Sequence, residues 1–339
     1  EIGSGLVGSE MCIRDRVKEL IMMNNKDIMD VDLVYLWVDG NDPVWQAKHN
    51  ALIGKTEESS PINCKGRYAN NDELKYSLRS VEMYAPWIRK IFIVTDNQVP
   101  AWLDTSNPKI RIVDHKEIMP AESLPCFNSS LIEHFLYKIP GLSEHFLFSN
   151  DDMYLNKEVA VDDFFTSDGY PIIRLTRKPF RKFRWYWREN VRKKPLKNYS
   201  RMIARSSLLV ENMYGVYYSG MPHHNIDGYL KSDIQRIVEV IMRDEFKENN
   251  RNHMRSDNDV HRSVFYYMAL AEKHGKLRYV TRKESMHVEI QKERHYRRLE
   301  KFRPMFFCMN DSEYAKDEDR KTAKEYLERR FPDKSEFEK

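Results

Sequence analysis

Short apolar runs that end in polar groups recur along the chain. The clearest is residues 145–154 (HFLFSNDDMY), where an apolar run too short for a helix predicts a buried strand that stops at Asn150, Asp151 and Asp152. Residues 31–38 form a similar β-rich run, which is followed by the turn-like sequence DGNDP. These polar strand ends are interpreted either as ordinary turns, since Asn and Asp are common turn formers, or as oxygen ligands for a divalent cation.

Two further strands and two helices are predicted between these runs. Residues 91–94 and 110–113 are short apolar stretches rich in isoleucine and valine. Residues 72–85 carry apolar side chains at helical spacing, with Asn70 or Asn71 available as the N-cap. A second amphipathic stretch follows the serine pair in the sequence FNSSLIEHF, and these serines are its candidate caps.

This order of elements predicts an α/β fold with a Rossmann-like, largely parallel sheet flanked by helices. Right-handed crossovers bring the carboxyl ends of successive parallel strands to one edge of such a sheet. Asp39, Asp96, Asp151 and Asp152 are therefore expected to converge there, where open α/β sheets bind their ligands. The convergence of several acidic strand ends is harder to attribute to turn formation than any one of them.

The composition of the 339-residue chain is that of a globular protein. Hydrophobic residues make up 41% and aromatic residues 12%, which argues against disorder. The net charge of +4 results from many charges of both signs and gives little support to a general polyanion-binding protein. No apolar run approaches the ~18 residues of a membrane-spanning helix. The four cysteines are scattered without CxxC spacing, which favours neither a zinc site nor a disulfide framework and fits a reducing, cytoplasmic setting.

The basic excess is concentrated in residues 174–205, which we call the basic segment. It contains 13 lysines and arginines, five aromatic residues between positions 180 and 187, and a single acidic residue, Glu189. Such a mixture is typical of surfaces that bind single-stranded nucleic acid, an anionic membrane, or an anionic or carbohydrate polymer. A solvated surface without a partner is the ordinary alternative.

Three parts of the chain are distinguished by their sequence. Residues 1–16 lack an initiating Met and a hydrophobic signal core, and they resemble translated sequencing-adapter sequence, which predicts a non-native leader. Residues 30–311 are expected to form the catalytic domain, with the basic segment as an insertion. Residues 312–339 are highly charged and predict a packed C-terminal helix.

The polar groups together suit phosphoryl transfer. This chemistry needs a divalent cation, positive side chains that hold phosphate oxygens, and a base that takes a proton from the incoming hydroxyl. The acidic strand ends are candidate ligands for Mg²⁺ or Mn²⁺, and Arg67, Arg79 or Arg255 for phosphate binding. His223 or an aspartate is the candidate base. The sequence lacks a GxxxxGK[ST] loop and a convincing GxGxxG, which argues against P-loop and ordinary dinucleotide enzymes.

Ordered motifs through most of the chain resemble those of the Stealth proteins. This family includes bacterial capsular polysaccharide phosphotransferases and the α/β subunit of the animal lysosomal-enzyme N-acetylglucosamine-1-phosphotransferase. The similar stretches are residues 32–43 (DLVYLWVDGNDP), 67–80 (RYANNDELKYSLRS), 85–89 (APWIR), 93–98 (IVTDNQ), 100–103 (PAWL), 124–129 (LPCFNS), 132–133 (IE), 150–152 (NDD), 221–223 (MPH) with 255–259 (RSDND), and 307–311 (FCMND).

The resemblance implies transfer of a sugar-1-phosphate from a nucleotide sugar, commonly a UDP-sugar, to a glycan hydroxyl in capsular or exopolysaccharide synthesis. A phosphodiester forms and a nucleoside monophosphate leaves. The implied fold is a Rossmann-like core related to GT-A glycosyltransferases, and the implied cofactor is Mg²⁺ or Mn²⁺. The expected partners are the nucleotide-sugar donor and the glycan acceptor, without specific nucleic-acid binding. The expected location is cytoplasmic, with peripheral contact at the inner face of an anionic plasma membrane.

The resemblance also assigns roles to individual residues. The implied catalytic residues are His223, Asp152, Arg255 and Glu133. The implied substrate-binding residues are Asp39, Gly40, Arg67, Asp72, Arg79, Ser80, Asp96, Asn128, Ser129, Asn150, His224 and Asn310. The implied metal ligands are Asp151, Asp152 and Asp311. Two departures from the family pattern are Cys126, where a small hydroxyl residue is expected, and the second histidine of the MPHH sequence, which leaves open whether His223 or His224 acts.

Two other functions remain open at the level of sequence. A GT-A-like glycosyltransferase would use the same donor and metal but attack the anomeric carbon, so that the nucleoside diphosphate is released. A non-enzymatic nucleic-acid binder would act through the basic segment, with tight, sequence-independent binding at physiological salt and no affinity for nucleotide sugars.

Overall fold

A five-stranded sheet organises the part of the chain that the computed structural model describes, residues 29–54, 70–312 and 314–339. The strands of the described chain are β1 Val31–Leu36, β2 Ile91–Thr95, β3 Ile110–Asp114, β4 His145–Asn150, β5 Met153–Leu155, β6 Ile172–Thr176, β7 Met221–Pro222, β8 Asp227–Leu230, β9 Lys276–Tyr279, β10 Ser285–Glu289 and β11 Phe306–Asn310. Its α-helices are α1 Pro43–Ile53, α2 Glu73–Tyr84, α3 His115–Ile118, α4 Ser129–Glu133, α5 Arg181–Tyr186, α6 Asn198–Tyr214, α7 Lys231–Arg236, α8 Arg243–Asn249, α9 Ser263–Ala271, α10 Glu293–Phe302 and α11 Asp317–Arg330. The predicted leader and Arg67 lie outside the described residues.

The central sheet has the strand order β3-β2-β1-β4-β8. Its first four strands are parallel, and β8 runs antiparallel to β4. The chain adds β2 and β3 on one side of β1 and then returns to place β4 on the other side. The sheet therefore has a topological switch point between β1 and β4, which is where open α/β sheets bind ligands. The prediction of a largely parallel α/β sheet flanked by helices is confirmed.

The central strands are buried on both faces. Each residue of β2 is buried, as are the first five residues of β1, because parallel strands covered by helices on both sides carry continuous apolar runs. Helix α2 buries Leu74, Leu78 and Val81, as its apolar spacing predicts. The described cysteines, Cys126 and Cys308, are buried free thiols.

The predicted helix caps are wrong in detail. Asp72 occupies the N-cap position of α2 without a side-chain cap bond, while Asn70 accepts a hydrogen bond from the Asp72 amide. Helix α4 is capped by Asn128, whose side chain accepts from the Ser130 amide, and not by the serine pair. This helix also ends at Glu133, and a 3₁₀ turn over Leu136–Lys138 replaces the continuous helix that the apolar spacing indicates.

A second sheet with the order β10-β11-β5 lies next to the carboxyl end of β4. Strand β5 follows β4 after only two residues and pairs antiparallel with β11, with Tyr154 opposite Phe307. The amide of Met309 donates a hydrogen bond of 3.0 Å to the Asp152 carbonyl. This pairing brings the end of β11 to the turn between β4 and β5.

A third sheet, with the order β7-β6-β9, supports the basic segment, which begins within β6. Within the described residues, no helix combines the length and the apolar character needed to cross a membrane. The predicted C-terminal helix is present as α11, with Ala323 and Leu327 buried.

Candidate active site

A cleft with a volume of about 300 Å³ opens at the switch point, and we call it the switch-point cleft. Its walls come from the carboxyl ends of β1, β2 and β4, from the start of α2 and α4, and from the end of β11. The polar wall nearest β4 consists of Asn150, Asp151, Asp152, Asn310 and Asp311. The NDD sequence at the end of β4 and the end of the family-like FCMND sequence on β11 therefore share one cleft.

Asp151 and Asp152 form the most strongly perturbed acidic pair of the cleft. Burial raises the pKa of the Asp151 carboxyl well above its usual range, and the neighbouring Asp152 and Glu73 carboxylates raise it further. Burial also raises the pKa of Asp152, although the Cys308 thiol donates a hydrogen bond of 3.1 Å to its Oδ2. The other oxygen of Asp152 is buried and has no hydrogen-bond partner among the described residues.

A crowded acidic pair with an unpartnered oxygen is suited to a divalent cation. Carboxylate oxygens are the ligands that Mg²⁺ and Mn²⁺ prefer, and a bound cation offsets the negative charge whose burial raises both pKa values. Glu73, at the start of α2, also faces the cleft, and burial raises its pKa with a smaller contribution from Asp152. The donor set of Asp151 and Asp152 therefore fits the expected metal.

Asp311 differs from this pair because its charge is already balanced. Both of its carboxylate oxygens accept hydrogen bonds from the Arg320 guanidinium, at 2.7 and 3.2 Å. The described residues contain one group of three carboxylate or imidazole ligands whose atoms lie within 4.8 Å of one another, and it consists of Asp233, Glu272 and His274, away from the cleft.

His224 is the histidine of the MPHH sequence that lines the cleft. Its ring stacks on His287, with ring centroids 5.1 Å apart. Burial lowers the pKa of His224 to about 3, and the nearby His287 and Arg262 lower it as well. The imidazole is therefore neutral at pH 7. His223 instead lies with its Nδ1 3.2 Å from the Ser285 hydroxyl oxygen.

Arg255 supplies a positive charge to the wall of the cleft. It lines the cleft together with Ser129, and its guanidinium donates a hydrogen bond to the Ser129 hydroxyl. The loop that carries Arg255 is fixed by Asn128, whose side-chain NH₂ donates to Asp259 at 2.8 Å and to the Asn252 carbonyl at 3.0 Å. Asn128 thus positions the arginine from behind the cleft.

Aromatic side chains cover the remaining wall. Trp37 follows β1 directly, and Trp45 lies on α1. Trp45 packs edge-on against Phe127 with ring centroids 5.1 Å apart, and both rings line the cleft. Flat apolar surfaces beside charged groups are suited to the base or sugar ring of a nucleotide sugar.

Several other residues assigned from the sequence are engaged outside the wall of the cleft. The Asp39 carboxylate accepts from the Asn41 amide at 2.9 Å, and the Gly40 carbonyl accepts from the Gln46 side chain at 2.7 Å. Asp96 forms an ion pair with Lys48 at 3.0 Å. The structure thus brings Asp151, Asp152 and Asp311 into one cleft but does not place Asp39 or Asp96 on its wall.

Of the assigned residues in and next to α2, Arg79 and Asp72 contact the C-terminal part of the chain, whereas Ser80 bonds within α2. The Arg79 guanidinium donates to both carboxylate oxygens of Glu338, at 2.7 and 2.8 Å. Asp72 pairs with Lys324 at 2.7 Å. The Ser80 hydroxyl is buried and donates to the Ser77 carbonyl. These contacts stabilise the packing of α2.

Glu133 lies behind the cleft. Its carboxylate forms an ion pair of 3.0 Å with Arg262, and the Arg262 guanidinium sits over the Phe148 ring, 5.0 Å from its centroid. Sequence reasoning missed Arg262 and the ring of His287, as well as Glu73. The usable signal for His287 is a polar residue at an inner position of a β-rich run, whereas nothing local to Arg262 distinguishes it from a surface arginine.

The fold and the cleft define a class of α/β proteins with an acidic ligand site at the switch point of a mostly parallel sheet. Two family descriptions match this chain: Stealth protein CR1, conserved region 1, at residues 29–57, and Stealth protein CR2, conserved region 2, at residues 67–173. These two matches include β1, α2, β4 and the acidic pair. The chain is similar to Stealth proteins over these two regions.

Similar proteins carry names from polysaccharide synthesis. The capsular polysaccharide phosphotransferase cps12A of Actinobacillus pleuropneumoniae is 41% identical over 172 residues, which is 50% of this chain and 46% of that protein. The exopolysaccharide phosphotransferase SCO6023 of Streptomyces coelicolor is 51% identical over 141 residues, 41% of this chain and 24% of that protein. The receptor polysaccharide phosphotransferase WefC of Streptococcus oralis is 46% identical over 142 residues, 42% of this chain and 43% of that protein. The chain spans less than half the length of each of these relatives.

Solved structures with a related arrangement include the galactosyltransferase LgtC in complex with donor and acceptor sugar analogs. It has a TM-score of 0.45 and 11% identity, with coverage of 89% of this chain and 95% of that chain. Mouse xyloside xylosyltransferase 1 has a TM-score of 0.39 and 10% identity, with coverage of 84% of this chain and 98% of that chain.

Proposed function

We propose that the protein transfers a sugar-1-phosphate from a nucleotide sugar, such as a UDP-sugar, to a hydroxyl group of a glycan in capsular or exopolysaccharide synthesis. The observation that carries this proposal is the half-buried Asp151-Asp152 pair at the switch point, which lines the same cleft as Arg255. The names of relatives that are 41% identical over 172 residues and 51% identical over 141 residues support the same activity.

The acidic pair and the arginine would divide the charge of a sugar diphosphate between them. Asp151 and Asp152 would hold the divalent cation, Mg²⁺ or Mn²⁺. When bound, such a cation offsets the negative charge of the diphosphate and of the leaving monophosphate. The planar guanidinium of Arg255 is suited to two parallel hydrogen bonds with phosphate oxygens, and Ser129 holds its orientation.

The chain's own residues would then handle the acceptor. The acceptor hydroxyl oxygen forms a bond to the β-phosphorus, and the bond between that phosphorus and the oxygen bridging to the α-phosphate breaks. The electron pair leaves with the nucleoside monophosphate. The imidazole of His224, which lies on the cleft wall, accepts the hydroxyl proton. Trp37 and Trp45 exclude water from one side.

Product analysis tests this function directly. The purified chain, supplied with Mg²⁺ or Mn²⁺, is incubated with UDP-N-acetylglucosamine or other nucleotide sugars and with candidate glycan acceptors. We expect release of the nucleoside monophosphate and an acceptor whose mass increases by one sugar phosphate. Release of the nucleoside diphosphate together with a simple glycoside would overturn the proposal in favour of glycosyl transfer.

The two adjacent histidines give a matched pair of variants. His224→Ala is expected to lower kcat by about 100-fold or more, because it removes the imidazole on the cleft wall. His223→Ala removes the contact with Ser285 and is expected to lower the melting temperature while kcat changes by less than about tenfold. Steady-state kinetics and thermal unfolding of both variants separate the roles. The reverse order of kcat values would assign the chemistry to His223.

A further inference from the structure

An exposed apolar stripe crosses the middle of the basic segment. Helix α5 continues as a π-helical turn over Trp187–Val191. Three apolar side chains in or next to these turns are largely exposed: Phe180 by 79%, Phe183 by 68% and Val191 by 59%. Tyr186 and Trp187 are exposed on the same side. We call these five residues the apolar stripe. The spacing of Phe183, Tyr186, Trp187 and Val191 places them on one face of the helix, and Phe180 immediately precedes its first residue.

The opposite face of the helix is firmly attached to the protein. Arg181 is buried, and its guanidinium donates hydrogen bonds of 2.6 Å to the Ser207 hydroxyl and to the Tyr218 carbonyl. It also stacks over the Trp185 ring, 4.6 Å from the centroid. Lys182 pairs with Glu211 at 2.7 Å. The stripe therefore points away from the core because the buried arginine fixes the rotation of the helix.

Cations surround the stripe with few acidic groups among them. Exposed lysines and arginines flank it on both sides, and the single carboxylate of the segment, Glu189, accepts a hydrogen bond from the Leu196 amide. A groove of about 500 Å³ between the aromatic rings is lined by several of these cations, including Arg184, Arg188 and Arg192. The surface thus combines exposed apolar rings with a dense positive charge.

We propose that this face of the basic segment binds the surface of an anionic phospholipid bilayer. A helix with a basic border and exposed aromatic and aliphatic side chains lies in the interface of a membrane, where the apolar stripe enters the acyl boundary and the cations contact lipid phosphates. An uncharged glycan gains little from the dense positive charge of this surface, and the one carboxylate of the segment, Glu189, already accepts from the Leu196 amide. The exposed Val191 also has no flat face for a sugar ring or a base.

The test measures co-sedimentation of the full chain with vesicles of phosphatidylcholine, with and without phosphatidylglycerol. We expect binding that requires phosphatidylglycerol. The stripe variant, Phe180→Ser with Phe183→Ser and Val191→Ser, is expected to bind at least about tenfold more weakly. The charge variant, Arg184→Glu with Arg188→Glu and Arg192→Glu, is expected to bind more than about 100-fold more weakly. All replaced side chains are exposed, so circular dichroism and melting temperature should remain unchanged.

Matched controls come from other exposed surfaces of the same chain. Arg294→Glu with Arg297→Glu and Arg298→Glu alters the net charge equally on α10, and Val240→Ser removes another exposed apolar side chain. Both controls should bind vesicles like the unaltered chain. Equal weakening by the α10 variant, or full binding by the stripe variant, would overturn the proposal.

Soluble dextran sulfate distinguishes a polymer site from a membrane site. If the chain binds this polymer tightly, fails to bind anionic vesicles and is insensitive to the stripe variant, the surface serves an anionic polymer instead. The outcome is independent of the proposed transferase activity, which the soluble donor assay measures without vesicles.

Discussion

Replacing Asp152 by Asn is expected to reduce sugar-1-phosphate transfer more than about 100-fold. Loss of a group that only orients a metal ligand commonly costs 10- to 100-fold, and loss of a ligand charge should exceed that range. The substitution keeps the side-chain shape and an oxygen that can accept the Cys308 hydrogen bond. Initial rates at several Mg²⁺ and Mn²⁺ concentrations check the result, and the variant should need more metal for half-maximal activity.

The same substitution should stabilise the protein in the absence of metal. Burial raises the pKa values of Asp151 and Asp152 in the folded state, and the Asp152 and Glu73 carboxylates raise that of Asp151 further. The folded state therefore binds protons more tightly than the unfolded state, so stability is greatest at low pH and falls as the pH rises from about 4 through the raised values. We expect Asp152→Asn to gain about 1 kcal/mol at pH 7 in chelator, and to lose this advantage below about pH 4.

Asp168→Asn provides the control, because Asp168 is exposed and lies outside the cleft wall. It should change neither turnover nor stability measurably. Unchanged turnover and metal dependence in Asp152→Asn would remove Asp152 from the site. A variant that lost activity together with about 2 kcal/mol or more of stability in chelator would indicate a structural role for the carboxylate instead.

The fold could be predicted from the sequence because its signals are local. A strand buried on both faces must be a short continuous apolar run, and β1, β2 and β4 begin at the predicted residues. The polar ends of β4 and β11 could also be predicted, since burying amide and carboxylate groups in an apolar core is costly. Right-handed crossovers then bring the carboxyl ends of the parallel strands of the central sheet to one edge, whereas the end of β11 reaches this edge through its antiparallel pairing with β5.

The remainder of the site depends on partners that are distant along the chain. Arg79 belongs to a motif suited to phosphate binding, yet its guanidinium is held by Glu338, 259 residues away. Asn128 precedes two serines that are equally good caps, but its side chain bonds both to α4 and to the loop of Arg255. The spacing of residues along the chain does not show which partner such a side chain bonds to. The energy of a buried ion pair or amide is set by tertiary contacts.

Replacing Arg262 by Met is expected to reduce the free energy of unfolding by about 3–5 kcal/mol, the usual effect of breaking a buried ion pair from one side. Arg262 pairs with Glu133 at 3.0 Å and donates to the Tyr266 hydroxyl, which in turn donates to Asp227. Burial raises the pKa of Asp227 to about 6, and Arg262 is the leading group that opposes this rise. Without the guanidinium, two buried carboxyl groups lose their counter-charge.

The double variant Glu133→Gln/Arg262→Met decides what Glu133 does. If the glutamate acts by holding Arg262 behind the cleft, the double variant should recover part of the stability that Arg262→Met loses, as measured by urea unfolding. Glu133→Gln alone should then lower kcat by less than about tenfold. If Glu133 is catalytic, Glu133→Gln should lower kcat by more than about 100-fold at unchanged stability. Arg297→Met is the control, because its pair with Glu293 is exposed and should contribute less than about 0.5 kcal/mol. We expect the first outcome, since the carboxylate contacts the arginine and does not line the cleft.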